Sequence, residues 1–281
     1  MMEFRRPVRE LIAARKSSRA YEVRALEPEA RAELLAACAL PVSGLLNEPA
    51  RFWLVERPEP EMRRLKLGLG LIANASSVLV GAVRDSRLAC ASFGYLMEAL
   101  VLKATDLGLA TCWVGFFDPA WFPELGISEQ ERSPSLVAVG HATPRRSARE
   151  RLLRMAVKAD SRKPWNELFF RDTPETALSR AEAGGYAEAL DMLRLAPSAG
   201  NTQAWRVVKS GEEFRFYIKP SSPRYEARNL HDVDIGIALC HFELAAREAG
   251  LRGAWLAADS DPTVPGMRCV ITWKASISKS Q

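Results

Sequence analysis

The sequence predicts an α+β fold built from two similar halves. The chain has 281 residues, about the length of two domains of roughly 100 to 200 residues each. In residues 91–115 and 233–257, apolar residues recur three and four positions apart, as on one face of an amphipathic helix. The two segments align without gaps at an offset of 142 residues. This alignment indicates an internal repeat.

Each repeated segment is expected to begin as a long helix that ends at a glycine. Gly94 and Gly108 are 14 residues apart, as are Gly236 and Gly250. Gly108 and Gly250 suit the left-handed position after a helix C-terminus, and a tryptophan stands five residues after each. We therefore expect a buried helix, a short turn and a strand in both halves. Chance similarity of two amphipathic helices is the alternative.

The remaining elements pair in the same order. Residues 34–55 read as helix, loop and strand with Pro41 and Asn47 in the loop, and residues 189–209 repeat this order with Pro197 and Asn201. Helices and strands do not alternate regularly, so the pattern favours an antiparallel or mixed sheet with helices packed on it. The other predicted strands are 76–82 and 136–139 in the first half and 214–218 and 269–273 in the second.

The two halves are predicted to meet near residue 160. The first is 1–160, the second is 161–281, and the join at 141–164 is rich in arginine, serine and proline. Two similar halves in one chain are typical of a fused homodimer with a pseudo-twofold axis between them. A cofactor at such an interface would contact residues from both halves, and we expect the chain to be a monomer.

Composition places the chain among ordinary globular proteins. Hydrophobic residues make up 48% and charged residues 26% of the sequence, which excludes disordered and fibrous classes. The net charge of +5 fits an anionic cofactor or a nucleic-acid partner. Because the sequence has no aromatic-rich basic motif, helix-turn-helix or zinc finger, we expect no nucleic-acid partner.

Cysteine usage and hydropathy predict a cytoplasmic protein. The five cysteines are widely spaced without a C-x-x-C pair, as expected of reduced core residues. Residues 1–15 carry six charges, and the apolar runs are shorter than the roughly 18 to 20 residues of a membrane span. We therefore expect neither a signal peptide nor a membrane partner. No metal site is expected, because no histidine lies near a pair of cysteines.

A basic segment, residues 15–19, follows the first predicted helix. It contains Arg15, Lys16, Ser17 and Arg19, whose guanidinium, ammonium and hydroxyl groups form a compact set of donors for a phosphate. For this segment taken by itself, a solvated basic helix end is the alternative.

A second informative segment, 195–205, connects a helix to a strand. Pro197 ends the helix, and the small residues 198–200 would let a backbone approach a flat ligand closely. Asn201 and Gln203 supply amide donors and acceptors suited to the edge of a heterocycle. An ordinary helix-to-strand loop is the alternative.

These segments resemble those of the flavin-dependent nitroreductase family. RKSSRAY at 15–21 is similar to its N-terminal phosphate motif, Arg-x-Ser-x-Arg-x-aromatic. APSAGNTQAW at 196–205 is similar to its Pro-Ser-x-x-Asn-x-Gln-Pro-Trp loop, with Ala204 where the family has proline. TCWVGFF at 111–117 resembles the strand after the long helix, and DSRKPWNELFF at 160–170 resembles the C-terminal phosphate-binding tail. The chain is most similar to the tandem group, in which two half-sized units reproduce the usual homodimer.

The resemblance implies a nitroreductase-like fold with FMN at the interface between the halves. The basic segment and the tail would bind the phosphate, and the loop of the second half would contact the ribityl chain and ring. The implied cofactor-binding residues are Arg15, Lys16, Ser17, Arg19, Val114, Gly115, Arg162, Lys163, Pro197, Ser198, Ala199, Asn201 and Gln203.

A second, pseudo-symmetric flavin site is not expected. It would require the loop 41–49 of the first half, which is two residues longer and lacks the glutamine. It would also require a basic motif at 162–165, which lacks the serine. We therefore expect one FMN per chain.

The resemblance implies an FMN-dependent oxidoreductase. Hydride would come from NADH or NADPH, and a nitroaromatic, quinone or similar small molecule would be the acceptor in a ping-pong cycle. The alternative is a flavin-binding protein without turnover, which would sense or store FMN. No catalytic side chain is assigned, because the flavin carries the chemistry.

Two further groups of residues are predicted to have structural roles. We expect His231, Asp232 and Asp234 to form an N-cap cluster at the start of the second long helix rather than a metal site. Positions in the aromatic core are expected for Tyr21, Trp113, Trp205 and His241.

Overall fold

The computed structural model describes residues 2–40, 44–143, 155, 158–258 and 264–276. Within them, two β-sheets are joined through a pair of long helices, which confirms the α+β class. The helices are α1 (Val8–Ala14), α2 (Pro28–Ala39), α3 (Glu59–Arg64), α4 (Leu67–Gly70), α5 (Arg87–Asp106), α6 (Arg180–Ala183), α7 (Ala187–Arg194), α8 (Pro223–Glu226) and α9 (Leu230–Glu248). The strands are β1 (Ala50–Glu56), β2 (Ser77–Arg84), β3 (Ala110–Val114), β4 (Glu131–Arg132), β5 (Leu136–Gly140), β6 (Phe169–Arg171), β7 (Trp205–Ser210), β8 (Glu213–Ile218), β9 (Gly253–Ala257) and β10 (Arg268–Ala275).

The two sheets have the same order of corresponding strands. The first runs β1-β2-β5-β3, with β4 also paired to β2, and the second runs β6-β7-β8-β10-β9. All of these pairs are antiparallel except that of β6 with β7. Without β6 and the short β4, the order is β1-β2-β5-β3 in the first sheet and β7-β8-β10-β9 in the second. In each half the last strand therefore lies between the second and the third. The two halves therefore have the same topology.

The long helices α5 and α9 end as the sequence predicts. Gly108 has φ +78° and Gly250 has φ +77°, a backbone conformation that favours glycine. In both cases the amide of the next residue donates to the carbonyl five positions earlier, at 2.9 Å. This hydrogen bond satisfies a carbonyl that the end of the helix would otherwise leave unpaired.

The helices α5 and α9 cross with their backbones in direct contact. A Cβ atom added to Gly94 would lie 2.1 Å from the carbonyl oxygen of Val233, and one added to Gly236 would lie 1.9 Å from that of Ala91. Each helix therefore needs glycine at this point. Because most residues of both helices are buried, the crossing lies at the centre of a core shared by the two halves.

The chain after β5 crosses to the second sheet. β6 pairs in parallel with β7, so that Phe169 faces Val207, and Trp165 packs on Phe169 with ring centroids 4.4 Å apart. The tail, residues 158–171, therefore connects the first half to the sheet of the second. The boundary at residue 160 stays a prediction, and residues 144–154, 156 and 157 of the join lie outside the described residues.

The first half carries an insertion between its first two strands. Residues 57–76 separate β1 from β2 and contain α3 and α4, whereas β7 and β8 are joined by a tight turn at Gly211 with φ +52°. Within the insertion, Gly68 and Leu69 have φ +57° and +58°. These two residues therefore form a left-handed turn that has no counterpart between β7 and β8.

By length and composition, α5 would be long and apolar enough to span a membrane. It is the one helix of this kind within the described residues, and 72% of its apolar 18-residue stretch is buried. The burial arises because α5 packs along α9 and against β1, β2 and β3. Its apolar character is therefore used in the protein core.

The five cysteines form no disulfide bond within the described residues. Cys38, Cys90, Cys112 and Cys240 are buried, and Cys269 is half-buried. Burial raises the pKa of Cys38 to about 12 and that of Cys90 to about 11. These two thiols are therefore protonated at neutral pH and are poor nucleophiles.

Gly236→Ala should lower the free energy of unfolding. In an open helix this change stabilises by about 0.5 to 1 kcal/mol. Here the added methyl group meets the α5 backbone, and overpacking of this kind costs about 1 to 3 kcal/mol. Urea denaturation followed by circular dichroism measures the difference. Gly185→Ala is the control, because its nearest contact would be the end of the Leu251 side chain at 3.3 Å. A Gly236→Ala protein as stable as the wild type would contradict the close crossing.

Candidate functional site

The basic segment is fixed between α1 and the first sheet. The helix α1 buries an apolar face, formed by Val8, Leu11 and Ile12, against α5. The chain then becomes extended, and the amide of Ser18 donates to the carbonyl of Thr111 in β3 at 2.9 Å. The basic segment therefore lies beside β3.

Arg15 is a buried cation with unused hydrogen-bond donors. The residue is 7% exposed, and its Nε lies 3.8 Å from Oε1 of Glu98. Neither Nε nor Nη1 has a hydrogen-bond partner among the described residues. Unpaired donors on a buried guanidinium are unfavourable. Because Arg15 lines a cavity, these donors indicate that an anion completes the site.

The loop 197–203 of the second half is held in place by hydrogen bonds that its backbone amides donate. The amide of Gln203 donates to Oγ of Ser198 at 2.9 Å. The amide of Ala199 donates to the two carboxylate oxygens of Asp234 at 3.0 and 3.1 Å. The loop is therefore attached to α9.

Asp234 is the anchor of this loop in α9. The helix begins at Leu230 with Asn229 as its N-cap, so the expected N-cap role of His231, Asp232 and Asp234 is wrong. Burial raises the pKa of Asp234, while His231, whose Nδ1 lies 3.9 Å from the carboxylate, acts in the opposite direction. A polar residue one turn inside the helix can face a neighbouring loop, as Asp234 does.

The tail binds the loop 197–203 and the chain just before it. Arg162 donates to three backbone carbonyls at 2.8 to 3.1 Å, one of them just before the loop. The amide of Lys163 donates to Oε1 of Gln203 at 2.7 Å. Burial, together with the nearby charge of Arg206, lowers the pKa of the Lys163 ammonium. These contacts position the loop against the first half.

Two connected cavities lie between the halves. The polar chamber, of about 260 Å³, is lined by the end of α1, the basic segment, the tail and the loop. The apolar chamber, of about 280 Å³, is lined by β3, the insertion, α9 and the loop. Both include Ser17, Arg19, Pro197, Ser198 and Gly200 in their walls. Together they suit an elongated ligand with an anionic end and a flat apolar end.

Most residues implied by the family resemblance lie on these walls. The polar chamber is lined by Arg15, Lys16, Ser17, Arg19, Arg162, Pro197, Ser198 and Asn201. The apolar chamber is lined by Ser17, Arg19, Val114, Gly115, Pro197, Ser198 and Ala199. Lys163 and Gln203 are not among the lining residues of either chamber; they join the tail to the loop.

Several walls of the apolar chamber were not predicted. Leu69 and Ile72 of the insertion line it, as do Phe116 and Tyr225. Leu69 is 69% exposed. The insertion has no counterpart in the second half, so the repeat gave no signal for it. The apolar, glycine-containing run LGLGLI at 67–72 is the signal that could have indicated it.

A buried polar network lies behind the two chambers. The indole of Trp113 donates to Oε2 of Glu98 at 2.8 Å, and Nε2 of His241 lies 2.9 Å from Oε1. Nδ1 of His241 lies 3.0 Å from the carbonyl of Met192, to which it must donate. Because Arg15 is next to the same carboxylate, the network connects the crossing of the long helices to the polar chamber.

The aromatic residues expected in the core are mostly buried. Tyr21, Trp205 and His241 are buried, whereas Trp113 is half-buried and lines the apolar chamber. As for metal binding, the part of the chain that the structure describes contains no group of three or more histidine, cysteine or acidic residues placed to hold an ion.

On the pseudo-symmetric side, the described part of the corresponding loop packs against the second half. There the turn Leu45–Asn47, whose first residue is 1% exposed, packs against β9. Ser92, 142 residues before Asp234 in the sequence, donates to the carbonyl of Glu48 at 3.2 Å. A hydroxyl therefore stands where the second half has the anchoring carboxylate. Residues 41–43 of this loop lie outside the described residues.

The paired α+β halves with a composite cavity between them match the architecture that the resemblance to the nitroreductase family implies. A family model described as "Putative TM nitroreductase" matches residues 7–246, and the chain belongs to this family. No curated protein sequence matches the chain significantly.

Several solved structures of nitroreductases are similar to this chain. A "putative nitroreductase" from Thermotoga maritima is 18% identical, with a TM-score of 0.64, and the match covers 98% of this chain and 96% of that chain. A shorter nitroreductase family protein from Clostridium difficile is 22% identical, with a TM-score of 0.44, over 59% of this chain and 96% of its own. A nitroreductase with bound FMN from Bacteroides fragilis is 23% identical, with a TM-score of 0.42, over 50% of this chain and 91% of its own. The Thermotoga protein shows the fold for nearly the whole chain.

Asp234→Asn should change how the stability of the protein depends on pH. Because burial raises the pKa of Asp234 above its ordinary 3.8, the wild type loses stability as the pH rises through the folded-state pKa. The asparagine variant lacks this loss. Its free energy of unfolding relative to the wild type should therefore increase as the pH rises above 3.8 and through the folded-state pKa of Asp234.

Urea denaturation at several pH values measures this difference. Asp172→Asn, at an exposed turn, is the matched control and should follow the wild type. If the difference between Asp234→Asn and the wild type stayed constant with pH, the burial of a charged Asp234 would be contradicted.

Proposed function

We propose that the chain is an FMN-dependent oxidoreductase that binds its flavin between the two halves. The observation that carries the proposal is Arg15, a buried guanidinium with unpaired donors at one end of an elongated composite cavity. FMN has the matching chemistry, with a phosphate at one end and a planar ring at the other. Family membership supports the same cofactor, because the resembled family holds FMN at the corresponding interface.

The residues of both chambers divide the binding of FMN between them. The basic segment would bind the phosphate through charge-assisted hydrogen bonds. The loop 197–203, held by Asp234, would contact the ribityl chain and ring. Val114 and Gly115 would line the ring through their backbone. The apolar walls would exclude water around the ring.

The proposed reaction needs two small molecules besides the flavin. The bound flavin would supply the electron-transfer chemistry. We propose NADH or NADPH as the hydride donor and a nitroaromatic, quinone or related compound as the acceptor. The protein's own contribution is to bind, orient and shield the reacting groups.

Anaerobic mixing tests whether the bound flavin turns over. The purified chain is reconstituted with FMN, mixed with NADPH or NADH, and then with para-nitrobenzamide or a quinone. We expect the visible flavin absorption to disappear with the donor and to return with the acceptor. Flavin that binds but is reduced by neither donor would contradict the oxidoreductase and would favour a sensor or store.

We expect one FMN per chain and a monomeric protein. In the equivalent place the turn Leu45–Asn47 packs against β9, which supports a single site. The interface between halves already lies within the chain. Counting heat-released flavin against protein, and measuring the mass by light scattering, tests both points. Two flavins per chain would overturn the assignment of that place to packing.

Arg15→Gln should weaken FMN binding selectively. Removing a charged donor from the phosphate costs about 1.5 to 3 kcal/mol, which corresponds to roughly tenfold to a hundredfold in Kd. Riboflavin lacks the phosphate, so its affinity should change little. Titration followed by flavin fluorescence measures both affinities.

Arg9→Gln is the control for this variant. Arg9 lies on the exposed side of the same helix and pairs with Glu188 and Glu248. The Arg9→Gln variant should therefore bind FMN and riboflavin with the affinities of the wild type. Equal loss of FMN and riboflavin affinity in Arg15→Gln would indicate structural damage and would contradict a phosphate role.

A further inference from the structure

Two arginines are stacked on one aromatic ring at the edge of the apolar chamber. Cζ of Arg224 lies 4.3 Å and Cζ of Arg228 lies 4.9 Å from the ring centroid of Phe116. Phe116 follows β3 of the first half, whereas the arginines flank the end of α8 in the second. The pair is therefore placed by both halves, like the two chambers.

These two cations have no carboxylate partner among the described residues, unlike the cations around them. Arg87 pairs with Glu226 at 2.7 Å, and Arg268 pairs with Asp232 at 2.8 Å. Both Arg224 and Arg228 are exposed. A guanidinium over an aromatic ring is attracted to the face of the ring, and its N–H groups lie in the guanidinium plane. Those donors remain available for a bidentate anion.

The pair stands where a ligand would leave the apolar chamber. Phe116 and Tyr225 line that chamber. Arg228 lines an adjoining outer cavity of about 570 Å³, which shares Gly115 with the apolar chamber. The other charged side chains of the outer cavity are neutralised, because Glu131 pairs with Arg51 and Arg132 with Asp85.

We propose that Arg224 and Arg228 form an anion-binding subsite for the ligand that enters the apolar chamber. This inference rests on the proposed function. The ligand is a compound with a planar reacting group and a carboxylate or phosphate, and the subsite binds the anionic group. The anion belongs either to the phosphates of the nicotinamide donor or to an anionic acceptor.

The two half-reactions distinguish these sources. Arg224→Gln/Arg228→Gln is compared with the wild type in stopped-flow experiments on the FMN-loaded chain. Reduction is measured with NADPH and with N-benzyl-dihydronicotinamide, which carries no phosphate. Reoxidation is measured with para-nitrobenzoate and with para-nitrobenzamide, which differ in charge and have similar shapes. Arg252→Gln, an exposed arginine that lines none of the three cavities, is the control.

We expect the double variant to lose about tenfold in second-order rate constant for one anionic reactant, with its neutral counterpart changed less than about twofold. A loss with NADPH assigns the subsite to the donor, and a loss with para-nitrobenzoate assigns it to the acceptor. Unchanged rate constants, or equal losses for charged and neutral reactants, in a variant with wild-type FMN content would overturn the subsite.

Failure of the proposed function would have a different signature. A wild-type chain that binds no FMN, or whose FMN no donor reduces, contradicts the oxidoreductase. The subsite is then decided by calorimetric titration of the chain with para-nitrobenzoate and para-nitrobenzamide. Tighter binding of the benzoate that disappears in the double variant supports it, and equal binding of the two compounds by the wild type overturns it.

Discussion

The direct contact between the backbones of α5 and α9 is the constraint on which the rest of the molecule depends. Gly94 and Gly236 leave no space for side chains at the crossing, so the two helices, and the sheets packed on them, are held at a fixed separation. Because β3 follows α5 and Asp234 of α9 anchors the loop 197–203, the crossing also sets the width of the cavity. The site is therefore a consequence of how the halves pack.

The buried carboxylate of Glu98 couples this crossing to the site. It joins Arg15 and Trp113 of the first half to His241 of the second. Buried polar networks are stable when every member is paired, and an anion beside Arg15 would complete this one. On the other side Glu243 accepts hydrogen bonds from Tyr95 and Trp255 and pairs with Arg247 of its own helix. The two halves share a topology, yet their buried carboxylates have different partners.

The parts of the fold that could be predicted from the sequence have local causes. Apolar periodicity indicates a helix whatever the helix packs against, and Gly108 indicates where one ends. The repeat relates the two halves to each other. Asp234 was misassigned because a carboxylate near a helix start has the same sequence signature whether it caps the helix or binds a loop. Lys163 and Gln203 hold the tail to the loop, which only their three-dimensional contacts reveal. The insertion at 57–76 had no repeated counterpart to identify it.

A crystal structure of the chain grown with FMN tests the composite site most directly. We predict that the flavin phosphate lies beside the basic segment at Arg15 and that the ring occupies the apolar chamber, in contact with both β3 and the loop 197–203. A flavin held by residues of one half alone, or located outside both chambers, would contradict a site built between the halves.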